Sequence, residues 1–227
     1  MKHPPIVITD SRDENPRRGE STQAHEEGLC HRTVHLEIMD SEGRYLVCSR
    51  QDDRREIPGG HVDWLDEPDG GRPETYEEAA LRETAEELGL VPKEYSPQQL
   101  EDAKEELRRL ANPRRVAKEV NQLPSSQGNN NEHVVVYRFT FPDELKQRIN
   151  LTEGTDPVWL SEEEIEEWAL QPANWMRINA ALRLFLRRRG IVVPLQFEFE
   201  SQDQKPTVAG FGHYEWVIRK KRSAGNG

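Results

Sequence analysis

The sequence predicts an α+β fold, an α/β/α sandwich built on a mixed sheet and extended at both termini. Three observations predict it. Apolar residues alternate with polar ones at Val34, Leu36 and Ile38 and crowd together from Val134 to Phe139, as strands with one or both faces buried require. Two stretches, Thr75 to Leu88 and Trp175 to Arg189, have the amphipathic period of helices. Strands and helices follow one another in irregular order without internal repeats, which suits helices packed on a mixed sheet.

The elements follow in order. Residues 1–28 are rich in Pro, Arg, Asp, Glu and Gly with little periodicity, and read as a flexible arm with room for one short strand at Ile6–Ile8. From Arg32 to Asp40, Val34, Leu36 and Ile38 alternate with His35 and Glu37, a strand with one buried face. Asp40-Ser41-Glu42-Gly43 is a turn, and Tyr45 to Ser49 returns as the second strand of a hairpin. Ile57 to Val62 is a short apolar segment broken by Gly59-Gly60, and Trp64 to Pro73 reads as a loop. The clearest helix runs from about Thr75 to Leu88. Thr75 with Glu78 makes a capping box, and Gly89 with Pro92 makes a stop.

Pro97 to about Leu110 reads as a charged surface helix, and the polar run Asn121 to Asn131 as a mobile loop. Glu132 to Phe141 is rich in β-branched and aromatic residues and reads as a strand. Pro157 to Leu160 is another. Ser161 and Glu164 open a short helix, and Trp175 to Arg189 forms a longer one that ends at Gly190. Leu195 to Glu200 and His213 to Arg219 are expected to pair as a final hairpin. The expected organisation is an arm (1–28), one domain (29–189) and a C-terminal extension (190–227).

Composition narrows the function. A chain of 227 residues holds one sizeable domain with extensions, and 34% hydrophobic against 32% charged residues suits a globular core with polar insertions. No stretch approaches the roughly 18 apolar residues of a membrane span, and the first ten residues do not resemble a signal peptide. Cys30 and Cys48 form no CxxC pattern, so a reducing, cytoplasmic setting is expected. A net charge of −11 argues against nucleic acid as a partner. An anionic substrate would need a cation between it and the protein's own carboxylates.

The run Arg82-Glu83-Thr84-Ala85-Glu86-Glu87-Leu88-Gly89-Leu90 carries the chemistry. At about 100° per residue, Glu83, Glu86 and Glu87 fall within a roughly 100° arc, while Leu81, Ala85 and Leu88 face the other way to pack on a sheet. Like charges so placed repel, and a hard dication with oxygen ligands, Mg²⁺ or Mn²⁺, would relieve them. Spacing alone does not decide the matter in so acidic a chain. Glu162, Glu163, Glu164, Glu166 and Glu167 form a similar cluster that reads as solvated surface.

The residues around the run decide it. Gly59-Gly60-His61-Val62 precedes the helix, Glu74 stands eight residues before Arg82, and Gly89-Leu90 closes it. Together these resemble the Nudix box, in which a glycine is followed by a spaced Glu, then Arg-Glu, then Glu-Glu and a closing Gly. The half from Glu74 to Leu90 fits, with Thr84 where an aliphatic residue is commoner. The first half departs, because thirteen residues separate Gly60 from Glu74, an insertion of eight that a loop can absorb. The strand and hairpin from His31-Arg32-Thr33 to Arg50 resemble the branch that includes isopentenyl diphosphate isomerase. Asn131-Glu132-His133-Val134 and Pro157 to Ser161 are similar to later strands of the family. The resemblance covers about residues 29–189.

The resemblance implies a metal-dependent pyrophosphohydrolase acting on a small phosphorylated metabolite, a nucleoside diphosphate linked to another moiety. It makes Glu83, Glu86 and Glu87 ligands to Mg²⁺ or Mn²⁺, with the carbonyl of Gly60 as a possible addition. Glu83 is one candidate to take the proton of the attacking water, and a loop residue is the other. Glu153 is expected as a further catalytic carboxylate, with Glu132 competing for that role. Arg82 is expected to orient a glutamate, with Glu74 as its partner. Arg50 and His61 are candidates to meet substrate phosphate, and Trp64 and Trp175 either stack on a base or serve the core. The two terminal arms also offer strands for a homodimer.

Two rival readings fit the residues less well. An isomerase would need a cysteine acid near a Ser-His metal motif, and Cys48 lies in a Val-Cys-Ser-Arg context that matches neither. A binding module that has lost catalysis would show broken box glutamates, whereas all three remain.

Overall fold

The computed structural model describes residues 4–49, 54–66, 70–125, 128–152 and 155–193. At its centre is β3 (His31–Asp40), whose Val34, Leu36 and Ile38 are fully buried. One edge of β3 pairs in parallel with β10 (Gly128–Phe141), from His31 opposite Glu132 to Asp40 opposite Phe141. Its other edge is shared by three antiparallel neighbours in succession. They are β1 (Ile6–Ile8) at His31, β6 (Gly59–His61) at residues 33–35 and β4 (Tyr45–Ser49) at Met39. Outward lie β2 (Arg17–Gly19) on β1, β5 (Arg55–Glu56) and β11 (Thr155–Leu160) on β4, and β9 (Arg114–Ser125) on β10. The sheet is mixed, as expected, because among the described strands β3 and β10 alone run parallel.

Parallel neighbours need a crossover, and its helices are α2 (Tyr76–Glu87) and α3 (Pro97–Ala111). Both begin with the reciprocal capping box their sequences announce, Thr75 with Glu78 and Ser96 with Gln99. The pleat then sorts the core into two layers. Val34, Leu36 and Ile38 with Val135, Tyr137 and Phe139 pack beneath Ala80, Leu81, Ala85 and Leu88 of α2 and Leu107 of α3. On the other face, Tyr45 and Val47 meet Ile165 of α5 (Glu162–Ala169) and Leu182, Phe185 and Leu186 of α6 (Ala180–Arg188). The result is the expected α/β/α sandwich. No helix among the described residues is long and apolar enough to cross a membrane.

Several expectations are revised. The first 28 residues are built into the fold: Ile6, Val7 and Ile8 are all buried, and the Val7 amide donates to Val62 O at 2.9 Å. The short strand at Ile6–Ile8 is where the sequence left room for it, and pairing with β2 and β3 is what ties the arm to the domain. A short helix, α1 (Ser21–Glu27), follows and ends at Gly28 in the left-handed region. The polar run Asn121 to Asn131 is no open loop, since β9 and β10 pair antiparallel through it, with Gln122 opposite Asn131. The stretch from Trp175 to Arg189 divides into a 3₁₀ turn (Pro172–Arg177) and α6. The break falls at Asn179, whose side chain caps the Leu182 amide at 2.9 Å. The loop Trp64 to Pro73 closes with a ladder of two residues on each side, β7 (Trp64–Leu65) and β8 (Arg72–Pro73). The expected hairpin of residues 195–200 and 213–219 lies outside the described residues.

Candidate active site

The site is assembled where α2 crosses the diglycine strand β6. Arg82 is its organising cation. Its Nε and Nη2 donate to the buried Glu74 carboxylate at 3.1 and 2.9 Å, and Nη2 also donates to His61 O at 2.8 Å. Its Nη1 donates to Glu83 Oε1 at 2.8 Å and Glu86 Oε2 at 3.1 Å, and Asp63 Oδ2 lies 3.5 Å from Nη2. Burial alone would weaken this guanidinium's hold on its proton, but Glu83, Glu74 and Asp63 more than offset that and hold its pKa well above the usual value.

Glu83 lies flat against Gly60, where a β-carbon would come within 2.3 Å of its carboxyl group. Glu87 reaches the same strand from one turn further along and accepts the Gly59 amide at 3.2 Å. Gly59 itself has φ of +155°, and a β-carbon there would come within 2.3 Å of the Val34 carbonyl oxygen, so a side chain at this position would be strained and obstructed. Glu86 accepts a hydrogen bond from the Tyr95 hydroxyl. Of the three glutamates the sequence placed on one arc, Glu83 and Glu87 therefore meet one strand, and Glu86 is joined to Glu83 through Arg82.

Two electrostatic facts bear on what this arrangement can hold. Four carboxylates, Glu74, Asp63, Glu83 and Glu86, surround one arginine, so negative charge is in excess. Glu83 shows it: burial pushes its pKa up to about 7, Arg82 pulls it back, and Glu86 raises it further. An all-oxygen donor set with excess negative charge fits a hard dication such as Mg²⁺ or Mn²⁺.

A model of the NUDIX domain matches residues 30–193, most of the chain. The chain belongs to the Nudix family. It is accordingly a hydrolase of acid anhydrides in phosphorus-containing compounds. Among solved structures it is similar to DR0079 from Deinococcus radiodurans, at 22% identity and a TM-score of 0.53, covering 81% of this chain and 97% of that one. It is also similar to a MutT protein from Methanosarcina mazei Go1 (19% identity, TM-score 0.41, 70% and 91% covered). A third is the dihydroneopterin triphosphate pyrophosphohydrolase of E. coli (18%, 0.40, 69% and 95%). At these identities the likeness to DR0079 is one of fold. No curated protein matches the chain.

Against this Nudix frame the expected site residues fall into three groups. Glu74, Arg82, Glu83, Glu86, Glu87 and Gly60 are brought together. Glu153 and Arg50 lie outside the described residues, although Thr152, next to Glu153, is tied to the end of α2. Its amide donates to Glu87 O at 2.9 Å and its hydroxyl to Glu86 O at 2.6 Å. His61 is the correction. Strand residues alternate between faces, so with Gly60 turned to Glu83 the His61 ring turns to the opposite face, where it meets the rings of His25 and His31. Glu132, the rival to Glu153, stands beside His31 on that same far face.

Thr84, the unusual residue of the box, is fully buried and donates its hydroxyl to Ala80 O at 2.6 Å, so it needs no aliphatic substitute. Burial first, then Glu87 and Glu56, push the Cys48 thiol up to about 12, which makes it a poor acid and weighs against the isomerase. Asp63 and Tyr95 were missed by the sequence reading. Neither has a local signature, because both enter the site through loops.

Proposed function

We propose that this Nudix protein hydrolyses a nucleoside diphosphate linked to another moiety, with Mg²⁺ or Mn²⁺ held by Glu83, Glu86 and Glu87 and by the carbonyl of Gly60. The observation that carries the reading is the excess of carboxylates around Arg82, with Glu83 buried against Gly60. A metal bound there would neutralise diphosphate oxygens and acidify a bound water.

The chain's own residues do the rest. Arg82, anchored by Glu74, keeps the Glu83 and Glu86 carboxylates at fixed positions before substrate arrives. Glu83, beside the carboxylates that would hold the metal, accepts the proton of the attacking water. Glu153 is retained as the alternative acceptor, on the strength of its place after the tethered Thr152. Arg50 is retained as a contact to substrate phosphate, and His61 is not. The two cysteines are unpaired, in keeping with a reducing cytoplasm.

The test is release of phosphate products, with Mg²⁺ or Mn²⁺, from nucleoside triphosphates, nucleotide sugars, ADP-ribose, dinucleoside polyphosphates and prenyl diphosphates. Glu87→Gln serves as control. Metal-dependent cleavage of one nucleoside diphosphate class, lost in the control, would support the reading. Turnover confined to prenyl diphosphates would replace it, and no turnover together with no Mg²⁺ binding would overturn it.

A further inference from the structure

Across the sheet from the box helix, three arginines close on one buried carboxylate, that of Glu37 on β3. Glu37 Oε2 accepts Arg138 Nε of β10 at 3.0 Å and Arg138 Nη2 at 2.5 Å. Its Oε1 accepts Arg188 Nη2 at the end of α6 at 2.6 Å, with Arg189 Nη1 at 3.5 Å. The placement follows from register. Leu36 and Ile38, on either side of Glu37, pack beneath α2, so the pleat turns Glu37 to the α6 side. Arg138 stands opposite it in the β3–β10 ladder and shares that face.

With Tyr45, Val116 and Glu162 these groups line a cavity of about 310 Å³. Three guanidinium groups there face two carboxylates, a local positive excess in a chain of net charge −11. Glu119, just outside, does not cancel it, because Arg187 pairs with the same carboxylate at 3.0 Å. Donors are also left over. Arg189 Nε is buried and makes no hydrogen bond, although Glu162 Oε2 lies 2.9 Å away. The Tyr45 hydroxyl accepts Arg189 Nη2 at 3.0 Å, while its own proton meets no acceptor among the described residues. Tyr45 is only 5% exposed, and buried donors without acceptors call for an explanation. An anion in the cavity supplies one.

We propose that Arg138, Arg188, Arg189 and Tyr45 bind a phosphate group, either free or carried on a small metabolite. Guanidinium forks match the oxygens of phosphate and bind it with two parallel hydrogen bonds. Arg138 and Arg189 lie over the Tyr45 ring, 5.7 and 5.1 Å from its centroid, and Glu37 anchors both from below. The donors are therefore held together before the phosphate arrives. Glu162, whose side chain is 43% exposed, swings away from Arg189 to admit it. The bound group ties α6 to β4 and β10. The sheet separates it from the box helix, so it is an effector and not the phosphate that is hydrolysed. The inference does not depend on the substrate assigned above.

The test is binding of orthophosphate and of adenosine monophosphate to the full chain, followed by calorimetry and thermal melts. EDTA is present so that no metal draws phosphate to the box, and sodium chloride at matched ionic strength discounts screening. Wild type and Glu87→Gln are expected to bind one equivalent and to gain thermal stability from it. Binding of orthophosphate assigns the site to free phosphate, and binding of adenosine monophosphate alone assigns it to a phosphate carried on a metabolite. Arg138→Gln and Tyr45→Phe should each bind more weakly by on the order of 10-fold, the worth of one hydrogen bond to a charged group. Tyr45→Phe keeps the ring and removes only the hydroxyl, so it decides the matter if Arg138→Gln fails to fold. No binding of either probe by wild type would overturn the proposal, as would undiminished binding by folded Tyr45→Phe.

Discussion

Gly60 and Glu83 are in such close apposition that the glutamate's carboxyl group occupies the place where a β-carbon would stand. A substitution at Gly60 therefore acts on Glu83 directly. In Gly60→Ala the carboxyl group must move by an ångström or so. The expected outcome is a loss of about 100-fold in kcat/KM, the scale at which misplaced catalytic groups cost rate. Steady-state hydrolysis of the substrate found in the screen, alongside thermal melts, would separate this from simple unfolding. Unchanged turnover would mean that Glu83 has no part in the reaction.

Arg82 is held on every side, and its loss would strand Glu74, which is almost fully buried. Arg82→Met is expected to destabilise the fold by about 3–5 kcal/mol, because a buried charge is left without its counterion. Urea denaturation measures this. The double variant Arg82→Met/Glu74→Gln should recover part of the loss, since the stranded charge is then gone.

Glu83 and the metal are linked through pH. Its pKa is raised to about 7 in the fold from an ordinary value of 4.5, so the folded state carries a growing penalty as pH rises through that interval. A dication removes the penalty. The gain in Tm on adding Mg²⁺ should accordingly be larger at about pH 8 than at about pH 5, and Glu83→Gln should abolish the difference. An equal gain at both values would place the ion elsewhere.

His35 works in the opposite sense. Burial, with help from Arg188 and against Glu37, lowers its pKa to about 3 from 6.5. The unfolded chain thus binds the proton more readily. The stability is present in full above pH 6.5 and drains away as pH falls through the folded value of about 3. Between 6.5 and 4.5 this contribution lies above the range in which ordinary carboxylates titrate. Subtracting the urea midpoints of His35→Leu from those of wild type over that interval should give a difference that shrinks with acid. A flat difference would show that His35 does not titrate as its burial requires.

The sequence alone determined what depends on neighbours a few residues apart. The capping box of Thr75 and Glu78, the strand His31–Asp40 with its return at Tyr45, and the single arc of Glu83, Glu86 and Glu87 all follow from local period and local hydrogen bonding. The identity of the box was legible for the same reason, because its glutamates share one helix. Other features needed the tertiary structure. Ile6–Ile8 is a strand only because β3 and β2 pair with it, and the asparagine-rich run around residue 130 is extended only because β9 and β10 bond through it. Asp63 and Tyr95 reach the box through loops. His25, His31 and His61 meet because a helix and two strands far apart in the chain present the same face. Side chains brought together by pairing register and pleat leave no period in the sequence, so their meeting is decided only when the sheet closes.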